Sequence, residues 1–446
     1  MKNSKKRMAM VAMVLGLWGL LPAMAQNKKA LTLQEAIDLS IKNSKTLKGS
    51  QAKIEEATAA LKEAVERKLP DANATGSYMR LNSPNVDLKI KAPNSSGGSN
   101  NSSGTAKVSQ AAYGMVNASL PLFSGFRIKY GIESARFLEQ ATRLDADNDR
   151  EAVVINTIDA YNNLYKSKEA VDLVNENLQT ARQRVKEFSN LEQNGLLARN
   201  DLLKAELQAS NIELSLLDAQ NNWRLANINM NLMLGLPDST ELVVDSASLL
   251  QPIALKGIAD YIQLGLQNRK DLQALSYRKQ AASVGIKATE GEKYPSIALT
   301  GGYIALDIPN ALVVTNAVNI GLGVQYSLSS LWKNNAKVQQ ARAREKQVVA
   351  NEEALTDAIR LQINQAYQNY MVSRKKIDVY VTAVAQANEN YKIVKNKYDN
   401  GLATVTDLLD ADVAQLQARM NHAFAQSDAA VAYHKLLQVA GLLNNQ

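Results

Sequence analysis

The sequence predicts a mainly helical chain with a membrane β part, in which long coiled-coil helices are interrupted by pairs of bilayer-length strands. Three observations carry this expectation. The chain is internally duplicated, apolar residues step at heptad spacing over long stretches of both copies, and between the helices apolar and polar residues alternate.

The duplication is plainest where NGLLARNDLLKA, from Asn194, returns as NGLATVTDLLDA, from Asn400; seven of the twelve letters agree, 206 residues apart. The same offset aligns Ala135-Arg136 with Ala341-Arg342, Ala160-Tyr161 with Ala366-Tyr367, and Leu234-Gly235-Leu236 with Ala440-Gly441-Leu442. Upstream the offset is 225, which matches Asn43 with Asn268, Leu47 with Leu272, Pro70 with Pro295 and Thr75-Gly76 with Thr300-Gly301. The difference is an insertion in the first copy, the polar Gly/Ser/Asn-rich run 82–104, which has no apolar period and reads as an exposed loop. The expected organisation is therefore a leader over 1–25, a first repeat over 26–237, a linker over 238–256 and a second repeat over 257–446.

The leader is read from Lys2, Lys5, Lys6 and Arg7, an apolar run from Met8 to Leu21, and the small-residue site Ala23-Met24-Ala25. This is the pattern of a cleaved secretory signal, with Gln26 as the first mature residue. Without those four cations the net charge falls from +8 to +4, too small for a nucleic-acid reading. The chain has no cysteine, hence no disulfide framework and no thiolate metal site, and its two histidines, His422 and His434, stand too far apart to share one helical face. No nucleophile elbow or phosphate-cradling glycine loop is present, so no enzyme, cofactor or metal is expected.

Val171, Val174, Leu178, Ala181, Val185 and Phe188 step by three and four, and the offset carries them to Ile377, Tyr380, Val384, Ala387, Tyr391 and Val394. A sustained period of seven means helices packed side by side. From Arg127 to about Glu192 nothing breaks the first of these, which at 1.5 Å per residue is on the order of 100 Å of helix. Strands are read at 70–82, 110–122, 295–306 and 318–328. In the last of these Val318, Ile320, Leu322, Val324, Tyr326 and Leu328 share one face, and Asn319, Gly321, Gly323 and Gln325 share the other, as in a strand between lipid and water. Four strands do not close a barrel, and open edges cannot sit in lipid, so other copies must complete it: two copies would give eight strands and three would give twelve.

Leu122-Phe123-Ser124-Gly125 before the first long helix, Tyr294-Pro295 before the third strand, and the duplicated Gly-Leu turn with Asp-Leu-Leu-x-Ala identify what the chain is similar to. Over about residues 31–443 it resembles the TolC family of outer-membrane efflux proteins. The family often has Asn-Pro near the first helix, where this chain has Asn43-Ser44 and Asn268-Arg269. The resemblance implies a homotrimer in the outer membrane. Its periplasmic α-barrel would be continued by a trimer-shared, 12-stranded transmembrane β-barrel. It would dock on a periplasmic adaptor (membrane fusion) protein and an inner-membrane pump of the RND type.

Each Asn-Gly-Leu reads as the turn at the periplasmic end of a helix pair, with glycine supplying the left-handed residue that stops the first helix. The resemblance makes Asn194, Gly195, Leu196, Asn400, Gly401 and Leu402 the adaptor-contact tips. Asn200 or Asp201 is expected to cap the next helix in one copy, and Thr404, Thr406 or Asp407 in the other. Asp410 stands where the first copy has Lys204, and Tyr398 where it has Glu192, so neither is required by the hairpin itself. By resemblance Asp407, Asp410 and Tyr398 form a pore gate, an acidic ring in which some carboxyl pKa values rise through mutual repulsion. Some relatives have an arginine on the way to this ring where this chain has Ala403, so the closed-state latch is expected to differ. Multidrug efflux is the expected activity. The competing expectations are the same duct serving polypeptide secretion or metal efflux, and a periplasmic coiled-coil structural or adaptor protein without a pore.

Overall fold

The computed structural model describes residues 28–443 apart from 83–84, 87–105, 246–254 and 310–311. The expected leader, most of the polar insertion and half of the expected linker lie outside the described residues. In chain order the elements are β1 (Lys28–Leu31), α1 (Leu33–Asn43), α2 (Lys45–Glu66), β2 (Asp71–Arg80), β3 (Asn85–Val86), β4 (Ala106–Lys107), β5 (Gln110–Ser124), α3 (Arg127–Gln193) and α4 (Arg199–Leu234). There follow β6 (Glu241–Val244), α5 (Ile258–Asn268), α6 (Lys270–Glu290), β7 (Ser296–Ile308), β8 (Leu312–Gln325), α7 (Ser330–Asp399) and α8 (Val405–Val439).

Two compact units divide the chain, and neither follows a repeat. One takes Met1–Ser50, Ala146–Lys270 and Thr356–Gln446, and the other takes Gln51–Asp145 and Asp271–Leu355. Each repeat contributes to both, because every repeat runs out along one long helix and back along another.

The first unit is helical, with a core of Ile158, Tyr161, Leu164, Met230 and Leu234, all essentially inaccessible to water. The expected linker is not wholly irregular, since β6 falls inside it and pairs in parallel with β1, Lys28 opposite Glu241. Buried polar groups tie this small sheet to the helices. The Tyr161 hydroxyl donates to Leu31 O at 2.9 Å, and the Asn227 and Asn231 amides donate to Thr240 O at 2.7 and 2.8 Å. A buried amide or hydroxyl without such a partner would be costly, so these bonds fix the position of the strand pair.

The breaks after α1 and α5 form without proline. Ser44 and Arg269 leave the helical region with ψ of 121° and 125°. The Ser44 side chain then accepts from Leu47 N at 3.2 Å and so starts α2. Each break is held by the glycine that ends a later helix of the same repeat. Gly235 (φ +69°) would place a Cβ 3.0 Å from the Asn43 side chain, and Gly441 (φ +66°) would place one 3.0 Å from Asn268. An alanine there would carry both a left-handed backbone and a clash.

The second unit holds a four-stranded antiparallel sheet in the order β2-β5-β7-β8. Its strands of 10, 15, 13 and 14 residues reach or exceed the 9–11 that cross a bilayer. β8 starts six residues before the alternation does and stops at Gln325, short of Tyr326 and Leu328. The early start was hidden by an irregularity, for the register with β7 shifts between Ile304 and Leu306, and Asn316 has φ +57°. At the sheet-to-helix passage Gly125 (φ +63°) and Gly291 meet backbone to backbone. A Cβ on Gly125 would lie 2.2 Å from Gly291 O, so neither position accepts a side chain without moving the chain.

Candidate functional site

Two regions carry the features a duct needs, and each lies within one unit. The first is the sheet. Because residues paired across an antiparallel sheet share a face, the register lines up Ala74, Val116, Tyr303 and Val318 in one row and Ala72, Ala118, Gly301 and Ile320 in the next. Leu120, Leu299 and Leu322 form a third row on that face. The face is apolar across all four strands, and on β8 it is bare: Val318, Ile320, Leu322 and Val324 are all strongly exposed. The opposite face carries polar residues at mid-sheet, with Asn73, Asn117, Gly302 and Asn319 in one row and Asp71, Ser119, Thr300 and Gly321 in the next. Gly302 leaves room there, since a Cβ would sit 2.8 Å from both the Asn117 and Asn319 amide oxygens.

The second region is the pair of helix turns. Gly195 (φ +72°) and Gly401 (φ +69°) are both left-handed. Leu196 N donates to Leu191 O and Leu402 N to Lys397 O, each at 2.8 Å, while Gly195 N and Gly401 N donate three residues back at 2.9 Å. Both turns are therefore the same Schellman motif. Asn194 and Asn400 complete it by donating their side-chain amides to Asn190 O and Asn396 O, at 2.6 and 2.7 Å. The repeated Asn-Gly-Leu is thus one solution to stopping a helix, used twice. Its leucines are not needed for that: Leu196 and Leu402 are 74% and 77% exposed.

The next helix starts differently in the two copies. In α8 Thr404 is the N-cap and Asp407 the third residue, and they form a reciprocal capping box, with Asp407 N donating to Thr404 Oγ1 at 3.2 Å and Thr404 N to Asp407 Oδ2 at 2.8 Å. These bonds from Thr404 hold the Asp407 carboxyl of the single chain below its ordinary 3.8. The stabilisation they give is present above that ordinary value and is lost as pH falls through the lowered one. In α4 the box is missing. Ala198 occupies the N-cap with no side-chain bond, so contrary to the sequence expectation neither Asn200 nor Asp201 caps this helix, and Asp201 lies 3.2 Å from the Lys204 ammonium in the first turn. Ala198→Thr should rebuild the box with Asp201 and stabilise the hairpin by about 0.5–2 kcal/mol, read as a raised midpoint of thermal unfolding.

Asp410 is exposed, one turn from the box. Tyr398 is half-buried against the Phe188 ring, with centroids 5.6 Å apart. Burial, then the charges of Asp201 and Asp399, push its hydroxyl above the ordinary 10.0, against the pull of Arg184. Phe188, Leu202, Ala205, Val405 and Leu408 form the apolar hub that joins the two turns. Just above it lies a feature sequence reading missed. The Arg184 guanidinium forms an ion pair with Asp412 and donates to the Tyr391 hydroxyl at 3.2 Å, with the pair's side chains only 8% and 11% exposed. No local signal marked it: Arg184 sits beside Val185 of the unbroken heptad row, and the second copy has Asn390 in its place.

Residues 36–236 and 261–442, both repeats, match the outer membrane efflux protein family. The outer membrane efflux protein BepC of Brucella suis biovar 1 is 25% identical over 403 residues, covering 89% of this chain and 87% of BepC. CusC superposes with a TM-score of 0.76 at 20% identity, covering 92% of each chain. The outer membrane protein VceC of Vibrio cholerae gives 0.73 at 20%, covering 92% of this chain and 96% of VceC. With the family matched over both repeats, the chain belongs to the outer membrane efflux protein family and is an efflux duct of the outer membrane, not an enzyme.

Proposed function

We propose that three copies of this chain form the exit duct of a tripartite efflux system. It would carry drugs or other small toxic compounds from a periplasmic adaptor and an RND-type inner-membrane pump to the cell exterior. The observation that carries this is the four-stranded sheet. It has one apolar and one polar face, and among the described residues nothing pairs with the outer edges of β2 and β8. Edges of that kind are stable in lipid only when paired. Three copies supply twelve strands, with β8 of one beside β2 of the next. The hairpin tips, led by the exposed Leu196 and Leu402, are the adaptor contact.

At the tips the two aspartates have separate tasks. Asp407 starts its helix, and Asp410, not engaged in the cap, supplies the ring of charge at the mouth. Tyr398, packed on Phe188, holds the turn that carries them. Deleting the gene should sensitise cells to hydrophobic drugs, and the wild-type chain should restore resistance while a chain with Leu196→Asp and Leu402→Asp should not. Unchanged susceptibility on deletion would argue against drug cargo and leave secretion or metal efflux in its place.

A further inference from the structure

At the sheet-to-helix passage the polar face of the sheet runs on into a groove on α2, α3 and α6. Ser124, which lines the groove, stands in one row with Ser296 and Gln325 on that face. Phe123, Ile297 and Val324 form the neighbouring row on the apolar face, and Phe126 packs edge-on against Phe123 with ring centroids 5.3 Å apart. Consecutive residues thus part company here, Phe126 to the lipid side and Arg127 into the groove. The duct reading above makes the polar face the wall of the lumen, and the inference rests on it.

The groove has a volume of about 700 Å³, the size of a site for a drug-sized molecule. Its floor is apolar, with Ala64, Ile128, Ala135, Leu138 and Ala288, and Leu138 is 48% exposed. Two glycines inside helices keep it open, Gly131 of α3 and Gly285 of α6. Neither has a left-handed backbone, and a Cβ on either would meet nothing within 4 Å. Glycine weakens a helix relative to alanine, and neither turn nor close approach requires it at these positions. What the two glycines supply is room above the floor.

The rim carries charge of one sign in excess. Glu63 and Arg67 pair with each other at 3.0 Å. Arg127 donates its Nε to Ser124 O at 2.9 Å, which holds the guanidinium in place, and among the described residues no carboxylate pairs with it. A free, oriented guanidinium beside an apolar floor suits one chemistry. We propose that this groove binds amphipathic anions in passage, an apolar ring or chain lying along the floor and a carboxylate or sulfonate accepting from the terminal nitrogens of Arg127. The occupant is a solute and not a membrane lipid, because the lipid side is the opposite face, marked by Phe123 and Phe126.

The absence of cysteine permits a clean test. Gly285→Cys, which places a thiol in open space in the groove, is labelled with N-ethylmaleimide in the purified oligomer. Naphthalenesulfonate is the probe and naphthalenemethanol its uncharged counterpart, with Asn319→Cys on the sheet as the control. The sulfonate should slow labelling of Gly285→Cys but not of Asn319→Cys, and the alcohol should need a concentration about fivefold higher for the same effect. Arg127→Gln in the Gly285→Cys background should erase that difference, and Arg127→Lys should keep it. Equal protection by the two compounds would overturn the preference for anions. A Gly285→Cys thiol that does not label, or labels with no protection, would overturn the site. The same preparation in a planar bilayer separates the two readings: protein that conducts without protection loses the site alone, and protein that never conducts loses the duct.

Discussion

Arg184→Ala or Asp412→Ala is expected to destabilise the helical unit by about 3–5 kcal/mol, since each leaves one charge buried without its partner. Denaturant unfolding of the single variants should show the loss. The double variant Arg184→Leu/Asp412→Leu should recover most of it, because removing both charges also removes their desolvation cost. Equal damage from the double variant would mean that the pair supplies stability beyond satisfying itself. The pair also neighbours Tyr391 and, through Phe188, Tyr398, so the weakened chains should hold their turns less firmly.

Ile320→Arg carries the second large effect. Ile320 is 82% exposed in the single chain and lies in the middle of β8 on the apolar face. An arginine facing lipid near the bilayer midplane costs about 2–4 kcal/mol, so this variant should insert poorly into vesicles. Asn319→Arg, one residue away on the polar face, should insert normally and change only conduction. If the two variants inserted equally well, the assignment of the faces would be wrong.

Much of this architecture was legible in the sequence because it is written in periods. Heptad steps gave the long helices, alternation gave the strands, and the repeat gave the order of both. What stayed hidden depends on contacts between copies of a motif rather than on the motif. Ala198 and Thr404 look alike as turn residues, yet only the hydroxyl builds a box, so Asp201 and Asp407 act differently despite equivalent positions. The start of β8 was masked by one irregularity, and the β1–β6 pairing by its short strands and the sequence distance between them. Arg184 and Asp412 lie on separate repeats, 228 residues apart, and neither carries a local sign of burial. Asp410 stood out as a difference between the copies, opposite Lys204, whereas Asp407 has Asp201 as its equivalent.

The central claim is a duct whose mouth is ringed by carboxylates. Conductance of the purified oligomer in a planar bilayer tests it most directly, with wild type set beside Asp407→Ala/Asp410→Ala and Asp410→Ala alone. The account predicts a small, cation-selective current that becomes larger and less selective in both variants, with Asp410→Ala alone giving most of the change. Inserted protein that passes no current in any form would contradict it.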